Sequence, residues 1–274
     1  MAVKRALASA PRTPSWLEYP DLQELVRDYS FPAPYGYDPE SLARRGAERA
    51  AEVVAIVGND SFRRSLEFGC GDGMVSAMLA KQGVEAIAVD VSPSRFDPRA
   101  VDAGVDFKIS DAAEISLESG SVDCVFSYNA FEHVRDPQGV LAEMIRVTRN
   151  GGIIYLAFGP LYWSAFGEHA YRSVPIPYCH CLFRLETLNR YCRAEGYEEI
   201  DAGHVNRWSL RQYRELWDGS ANLLSKARYE ERSRAGHVYL IERYPSCFWN
   251  RSDFALDFLI DEISVVFRKK IISW

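Results

Sequence analysis

Residues 65–73 read SLEFGCGDG, a short apolar run followed by glycines at 69, 71 and 73, each separated by one small or polar residue. Glycine has no Cβ, so it reaches dihedrals closed to other residues and lets a ligand approach the main chain. Where such a loop joins a strand to a helix, the unpaired N–H groups of the helix start favour an anionic group. The loop can hold a phosphate, a dinucleotide or another nucleoside cofactor, or it can be only a tight turn. A phosphate loop ends in Gly-Lys-Ser/Thr, whereas Gly73 is followed by Met74 and Val75, so that reading fails. The dinucleotide pattern G-x-G-x-x-G needs its third glycine at Met74, one residue past Gly73, and the match is imperfect.

Working outward, strands and helices alternate. Asp38-Pro39-Glu40 has the form of a helix start, with an N-cap candidate, proline at the first helical position and an acid in the first turn. That helix is expected to run to about Val57 and stop at Gly58-Asn59, and a shorter one is expected near Asp21–Tyr29. Strands are expected at Ser65–Phe68, Glu85–Val89, Asp106–Ile109, Val122–Tyr128 and Ile153–Phe158, and helices at Met74–Gln82 and Gln138–Val147. This order implies a parallel sheet with helices on both faces. Ligands then bind at the C-terminal ends of the strands, where the strand order reverses. Farther on, Arg184–Glu195 reads as a helix ended by Gly196, and Tyr197–Ala202 as a strand. Residues 207–258 are mixed and aromatic-rich, and Asp261–Lys270 alternates well enough for a final strand on the sheet's edge.

LEFGCGDG resembles the first motif of the class I (Rossmann-like) S-adenosylmethionine-dependent methyltransferases, an acid two residues before a G-x-G-x-G loop. Further matches follow in order. AIAVDVSP puts Asp90 at the end of the second strand, about 20 residues on, where a carboxylate can accept from ribose hydroxyls. KISDAAEI puts Asp111 after the third strand, VDCVFSYNAFEHVRDP looks like the fourth strand and its loop, and MIRVTRNGGIIYLAF like the following helix, turn and fifth strand. Asn150 stands where the family usually has proline. The resemblance covers about residues 40–160.

The resemblance implies a three-layer α/β fold with a mostly parallel sheet, an antiparallel final strand, an N-terminal helical cap (residues 1–60) and a C-terminal insertion within the methyltransferase domain (61–274). It implies S-adenosylmethionine as cofactor and S-adenosylhomocysteine as product. By position, Gly69, Gly71 and the 69–73 main chain face the methionine part, with Glu67 near its amine and Phe68 and Cys70 flanking. Asp90 and Val91 take the ribose side, Asp111 and Ala112 the adenine edge, and Asn129 lines the floor near the sulfonium. The rival readings are a cofactor-binding protein of this fold without catalysis, and a nicotinamide-dependent oxidoreductase, which the glycine spacing disfavours.

The 274 residues suffice for one large domain, or one with a sizeable insertion; 47% are hydrophobic and 26% charged, the balance of a soluble globular protein. A formal charge of −6 opposes sequence-independent nucleic-acid binding, which needs Lys and Arg against phosphates. No apolar run approaches the length that spans a bilayer, and MAVKRALASAPR lacks the apolar core of a signal peptide. A cytoplasmic protein, monomeric or homodimeric, that binds neither nucleic acid nor membrane is expected. Six cysteines in a chain of this length read as free thiols rather than a disulfide framework.

The acceptor must be read from elsewhere in the chain. An oxygen acceptor benefits from a general base, and five histidines offer few choices. His133 lies in FEHV after the fourth strand. Residues 159–183, after the fifth strand, carry Tyr162, Trp163, Tyr178, His169 and His180; this segment resembles acceptor-binding segments of small-molecule methyltransferases. His169, His180 and His133 are the base candidates, and Tyr162, Trp163 and Tyr178 the acceptor contacts. The Cys-His-Cys at 179–181 lacks a paired C-x-x-C, its cysteines alternating across a strand-like segment, and no metal site is expected. SYNAF is not the Asn/Asp-Pro-Pro-Tyr/Phe of amino-methylating nucleic-acid enzymes, and PYC is not the Pro-Cys of carbon-5 methylation. A small molecule or a carbohydrate, methylated on oxygen, is the expected acceptor, with 207–258 adding a helical cover.

Overall fold

Asp38 starts the longest helix as its side chain accepts from the Ser41 amide at 2.9 Å, and the chain stays helical over Pro39–Val57 until Gly58 caps it at φ 86°. Local chemistry of this kind sets most of the elements. The computed structural model describes residues 2–11, 13–33, 36–58, 62–110, 114–252 and 254–271. In chain order these form α1 (Ala2–Ser9), α2 (Tyr19–Leu25), α3 (Pro39–Val57), β1 (Arg64–Phe68), α4 (Met74–Ala80), β2 (Glu85–Asp90), α5 (Pro98–Asp102), β3 (Asp106–Ile109) and β4 (Val122–Tyr128). There follow α6 (Pro137–Val147), β5 (Thr148–Phe158), α7 (Cys179–Leu182), α8 (Leu185–Glu195), α9 (Leu210–Gly219), β6 (Leu224–Ser233), α10 (Val238–Arg243), α11 (Pro245–Phe248) and β7 (Ile260–Lys269).

The seven strands form one sheet in the order β3-β2-β1-β4-β5-β7-β6. β1 to β5 pair in parallel, and β7 runs antiparallel to β5. The chain leaves β1 outward through β2 and β3, then returns to β4 on the other side of β1. The order reverses there, so the loops after β1 and β4 meet at the ligand-binding edge of an open α/β sheet. The Rossmann-like architecture expected from the sequence is therefore the one observed.

The chain divides into two compact units: Met1–Pro34 with Gly159–Glu215 and Glu231–Glu262, and Tyr35–Phe158 with Leu216–Glu230 and Ile263–Trp274. In the sheet unit, Ala50 and Val53 of α3 and Val75 and Leu79 of α4 pack on Cys124, Phe126, Ile153 and Tyr155 of the sheet. α3 is further tied down by Glu52, which accepts from Tyr128 Oη (2.9 Å) and Tyr155 Oη (2.7 Å). The other unit has its own core, in which Leu22, Leu25, Tyr178, Leu182, Leu240, Phe248 and Phe258 are buried together.

Four expectations are corrected. β5 begins at Thr148 rather than Ile153, so Asn150-Gly151-Gly152 is strand and not turn. Tyr197–Ala202 is not a strand: the amide and carbonyl of Ile200 bond the side chain of Asn189 on α8, at 2.8 and 3.3 Å, in place of a neighbouring strand. The final strand is not at the edge, because β6 lies outside it. β6 escapes a pattern reading because most of its residues are exposed and half of them are charged (LSKARYEERS), as suits an edge strand that resists further pairing. Cys179 and Cys181 lie on the short helix α7 rather than on a strand. All six cysteines are buried free thiols. No helix among the described residues is long and apolar enough to cross a membrane.

Candidate cofactor site and acceptor segment

Leu66 and Phe68 bury β1 between β2 and β4, which fixes where the glycine loop emerges. Gly69 sits at φ 66°, and a Cβ there would lie 2.3 Å from Ala130 Cβ, so the loops after β1 and β4 touch only because residue 69 is glycine. Gly69 and Cys70 donate their amides to the Val89 carbonyl at 2.8 and 3.1 Å. Gly71 donates to Asp90 Oδ2 at 2.8 Å. Asp90 Oδ1 meets only the Ser92 amide, at 3.4 Å, among the contacts described. The carboxylate thus latches the loop with one oxygen and keeps acceptor capacity on the other.

Glu67 is buried, and its Oε2 accepts from the amide (3.0 Å) and hydroxyl (2.7 Å) of Ser76 on α4. Burial pushes its carboxyl up to about 7, against the pull of both Ser76 bonds. Burial also drives the Cys70 thiol far above its ordinary range, with the charges of Glu67, Asp90 and Asp72 adding to the effect. Cys70 is therefore a filler between glycines, not a nucleophile. Phe68 is buried and Val91 exposed. Asn129 adopts φ 49°, a left-handed conformation uncommon outside glycine, and its amide donates to Ala157 at 2.9 Å. Asp111 and Ala112 lie outside the described residues. Sequence reading missed Arg95, whose guanidinium lies 3.3 Å from the place a Gly71 Cβ would occupy and 5.8 Å from the Tyr37 ring centre. No local pattern announces a cation that comes to rest over a loop 24 residues earlier.

Among the base candidates, His133 belongs to the sheet unit, in the turn Phe131–His133 after β4, with Nε2 3.8 Å from Glu132 Oε1. His169 and His180 belong to the other unit. His169 Nε2 lies 3.0 Å from the Pro160 carbonyl. A carbonyl only accepts, so Nε2 carries the proton and Nδ1 is the basic nitrogen. His180 is pushed down to about 3, first by burial and then by Arg207 and Arg251. It is neutral at physiological pH and a weak base.

Of the acceptor candidates, Tyr162 and Trp163 come together, their ring centres 4.8 Å apart, and His180 stands 4.8 Å from Tyr162. Tyr178 lies elsewhere in the same unit. It is wholly buried against Phe248, and its hydroxyl donates to the Phe258 carbonyl at 2.6 Å, the place of a core tyrosine. Sequence reading also missed Glu168. It is buried beside Tyr162, and burial pushes its carboxyl up to about 7 against the pull of Arg207 and of the Tyr162 hydroxyl.

The strand order, the loop over its reversal point and the carboxylate at the end of β2 are the arrangement of a Rossmann-like methyltransferase fold. Residues 66–156 match the family described as "Methyltransferase domain". The chain is 32% identical over 136 residues to an uncharacterised methyltransferase of Mycobacterium sp. (strain JLS), covering 49% of this chain and 52% of that protein. It is 27% identical over 153 residues to a ubiquinone biosynthesis O-methyltransferase of Parvibaculum lavamentivorans, covering 54% and 49%. The chain spans about half the length of these curated relatives. In fold it resembles Haemonchus contortus phosphoethanolamine N-methyltransferase 2, solved with S-adenosyl-L-methionine, at a TM-score of 0.51 and 15% identity over 82% of this chain and 53% of that one.

Proposed function

We propose that the chain transfers a methyl group from S-adenosylmethionine to a hydroxyl of a small molecule or carbohydrate. The observation that carries the reading is the latch of Asp90 on Gly71 at the sheet's reversal point. It presents a rigid main-chain loop beside a carboxylate oxygen with acceptor capacity, the donor set a ribose and an amino-acid tail require. When bound, the cofactor supplies an electrophilic methyl carbon on a positively charged sulfur.

The 69–73 main chain then holds the methionine part, with Glu67 beneath it, and Arg95 over Gly71 is the cation assigned to its carboxylate. Asp90 Oδ1 takes the ribose hydroxyls, Asp111 and Ala112 the adenine edge, and Asn129 the floor. With the cofactor bound, these residues would hold it so that an acceptor oxygen could line up with the sulfur–methyl bond, and such alignment provides much of the rate. Proton acceptance falls to His169 through Nδ1, with His133 the second candidate, because His180 is too weak a base. The name of the Parvibaculum relative supports oxygen as the methylated atom.

Calorimetry with S-adenosylhomocysteine and with NAD tests the cofactor. Homocysteine-nucleoside binding with no response to NAD is expected, and the reverse sinks the reading. Labelled methyl transfer to a panel of phenols and sugars then tests the chemistry, with oxygen-linked product expected.

A further inference from the structure

The segment after β5 carries a polar cluster in its own unit that neither the cofactor nor the core explains. Tyr162, four residues beyond the end of β5, is its hub. Trp163 meets the Tyr162 ring edge-on, His180 stands 4.8 Å from it and 6.3 Å from Trp163, and the Arg207 guanidinium lies 5.1 Å from the Tyr162 ring centre. The Glu168 carboxyl lies beside the Tyr162 hydroxyl, close enough for that hydroxyl to act on it. The arrangement is enforced by Gly167, where a Cβ would lie 2.1 Å from the Leu161 carbonyl oxygen and 2.2 Å from that of Tyr162. Residue 167 is thus pressed against the main chain that carries the hub.

Glu168 is 7% exposed, and its Oε2 has no hydrogen-bond partner among the described residues. His180 is 8% exposed; neither ring nitrogen makes a well-formed hydrogen bond, although the Tyr162 main chain faces the ring. Buried polar atoms are nearly always partnered, because leaving them dry is costly. Three such atoms around one tyrosine mark a place that something else fills.

The donor set says what. A carboxylate oxygen needs a donor, and a neutral imidazole needs one acceptor and one donor. Two adjacent hydroxyls supply the donor for the carboxylate and one partner for the imidazole. A cationic ligand is opposed by Arg207 and Arg251, whose charges act on this cluster, and an anionic ligand by Glu168. Trp163, half-buried beside Tyr162, offers ring surface to a ring-shaped ligand.

We propose that Tyr162, Trp163, Glu168 and His180 form a binding site for a ring bearing vicinal hydroxyls, one hydroxyl donating to Glu168 Oε2 and its neighbour bonded to His180. The site belongs to this unit alone, and Glu168 and Tyr162 select the ring it takes.

The experiment uses the full chain with two probes, catechol and methyl α-D-glucopyranoside, with and without S-adenosylhomocysteine. Binding is followed by the imidazole resonances of His180 in NMR spectra. One probe is expected to shift these resonances saturably: catechol identifies an aromatic ligand, the glucoside a carbohydrate. Glu168→Gln, checked for folding by circular dichroism, should weaken that probe about tenfold or more, the scale of a hydrogen bond to a charged group, with homocysteine-nucleoside affinity unchanged. Tyr162→Phe, which removes the hydroxyl beside Glu168, should show the same loss and keeps the test decisive if the glutamine variant does not fold. If neither probe moves the His180 signals, or both folded variants bind like the parent chain, the proposal is overturned. A chain that binds a probe but no S-adenosylhomocysteine overturns the cofactor reading and leaves this site standing.

Discussion

Asp90 Oδ2 accepts the Gly71 amide at 2.8 Å, so the end of β2 and the loop after β1 are one rigid piece. Among the described residues Oδ1 faces only the Ser92 amide, at 3.4 Å, so the two oxygens divide the work between loop and ligand. Asp90→Ala removes both bonds and is expected to weaken S-adenosylhomocysteine binding by about 1–3 kcal/mol. Asp90→Asn, which keeps an acceptor for Gly71, should lose less. Calorimetry on both variants checks the order, and equal affinity in all three proteins refutes the ribose assignment.

Arg95 over Gly71 gives a second binding prediction that separates the two halves of the cofactor. Arg95→Met should weaken S-adenosylhomocysteine by about fivefold or more through the lost charge–carboxylate contact. It should leave 5′-methylthioadenosine, which has no carboxylate, unchanged. Equal losses for both ligands would show that Arg95 only shapes the loop.

Glu67 makes stability depend on pH. Its folded-state value of about 7 lies above the ordinary 4.5, so between these values the folded chain binds the proton more tightly than the unfolded one. Stability at this site is therefore full below about pH 4.5 and falls as pH rises through 7. The contribution lost is on the order of 3 kcal/mol. Urea titrations across this range should show a steeper decline for the parent chain than for Glu67→Gln, and parallel curves would contradict the assignment.

Gly167 and Gly236 form an internal control. An added Cβ at Gly167 meets two carbonyl oxygens within 2.2 Å, whereas at Gly236 it meets nothing within 4 Å. Gly167→Ala should cost about 1–3 kcal/mol or more from overpacking, and Gly236→Ala less than about 0.5 kcal/mol. Denaturant midpoints of the two variants decide this.

What the sequence determined by itself is what short-range chemistry controls. The N-cap of Asp38, the glycine stop at Gly196, the runs of β1 to β4 and the 69–73 loop each depend on residues within a few positions, and each falls within a residue of where the pattern puts it. The ordered set of Glu67, the glycines and Asp90 was legible for the same reason. Tertiary structure alone decided the rest. β6 is polar and becomes a strand only because β7 offers it an edge, and the supposed strand after α8 gives its hydrogen bonds to Asn189. Tyr178 reads like an acceptor contact until packing buries it. His180 looks like a base, and Glu168 like an unremarkable surface acid, until desolvation lowers one and raises the other. Burial and the charges that face a group come from residues distant in the chain, so no reading of its neighbours in sequence could supply them.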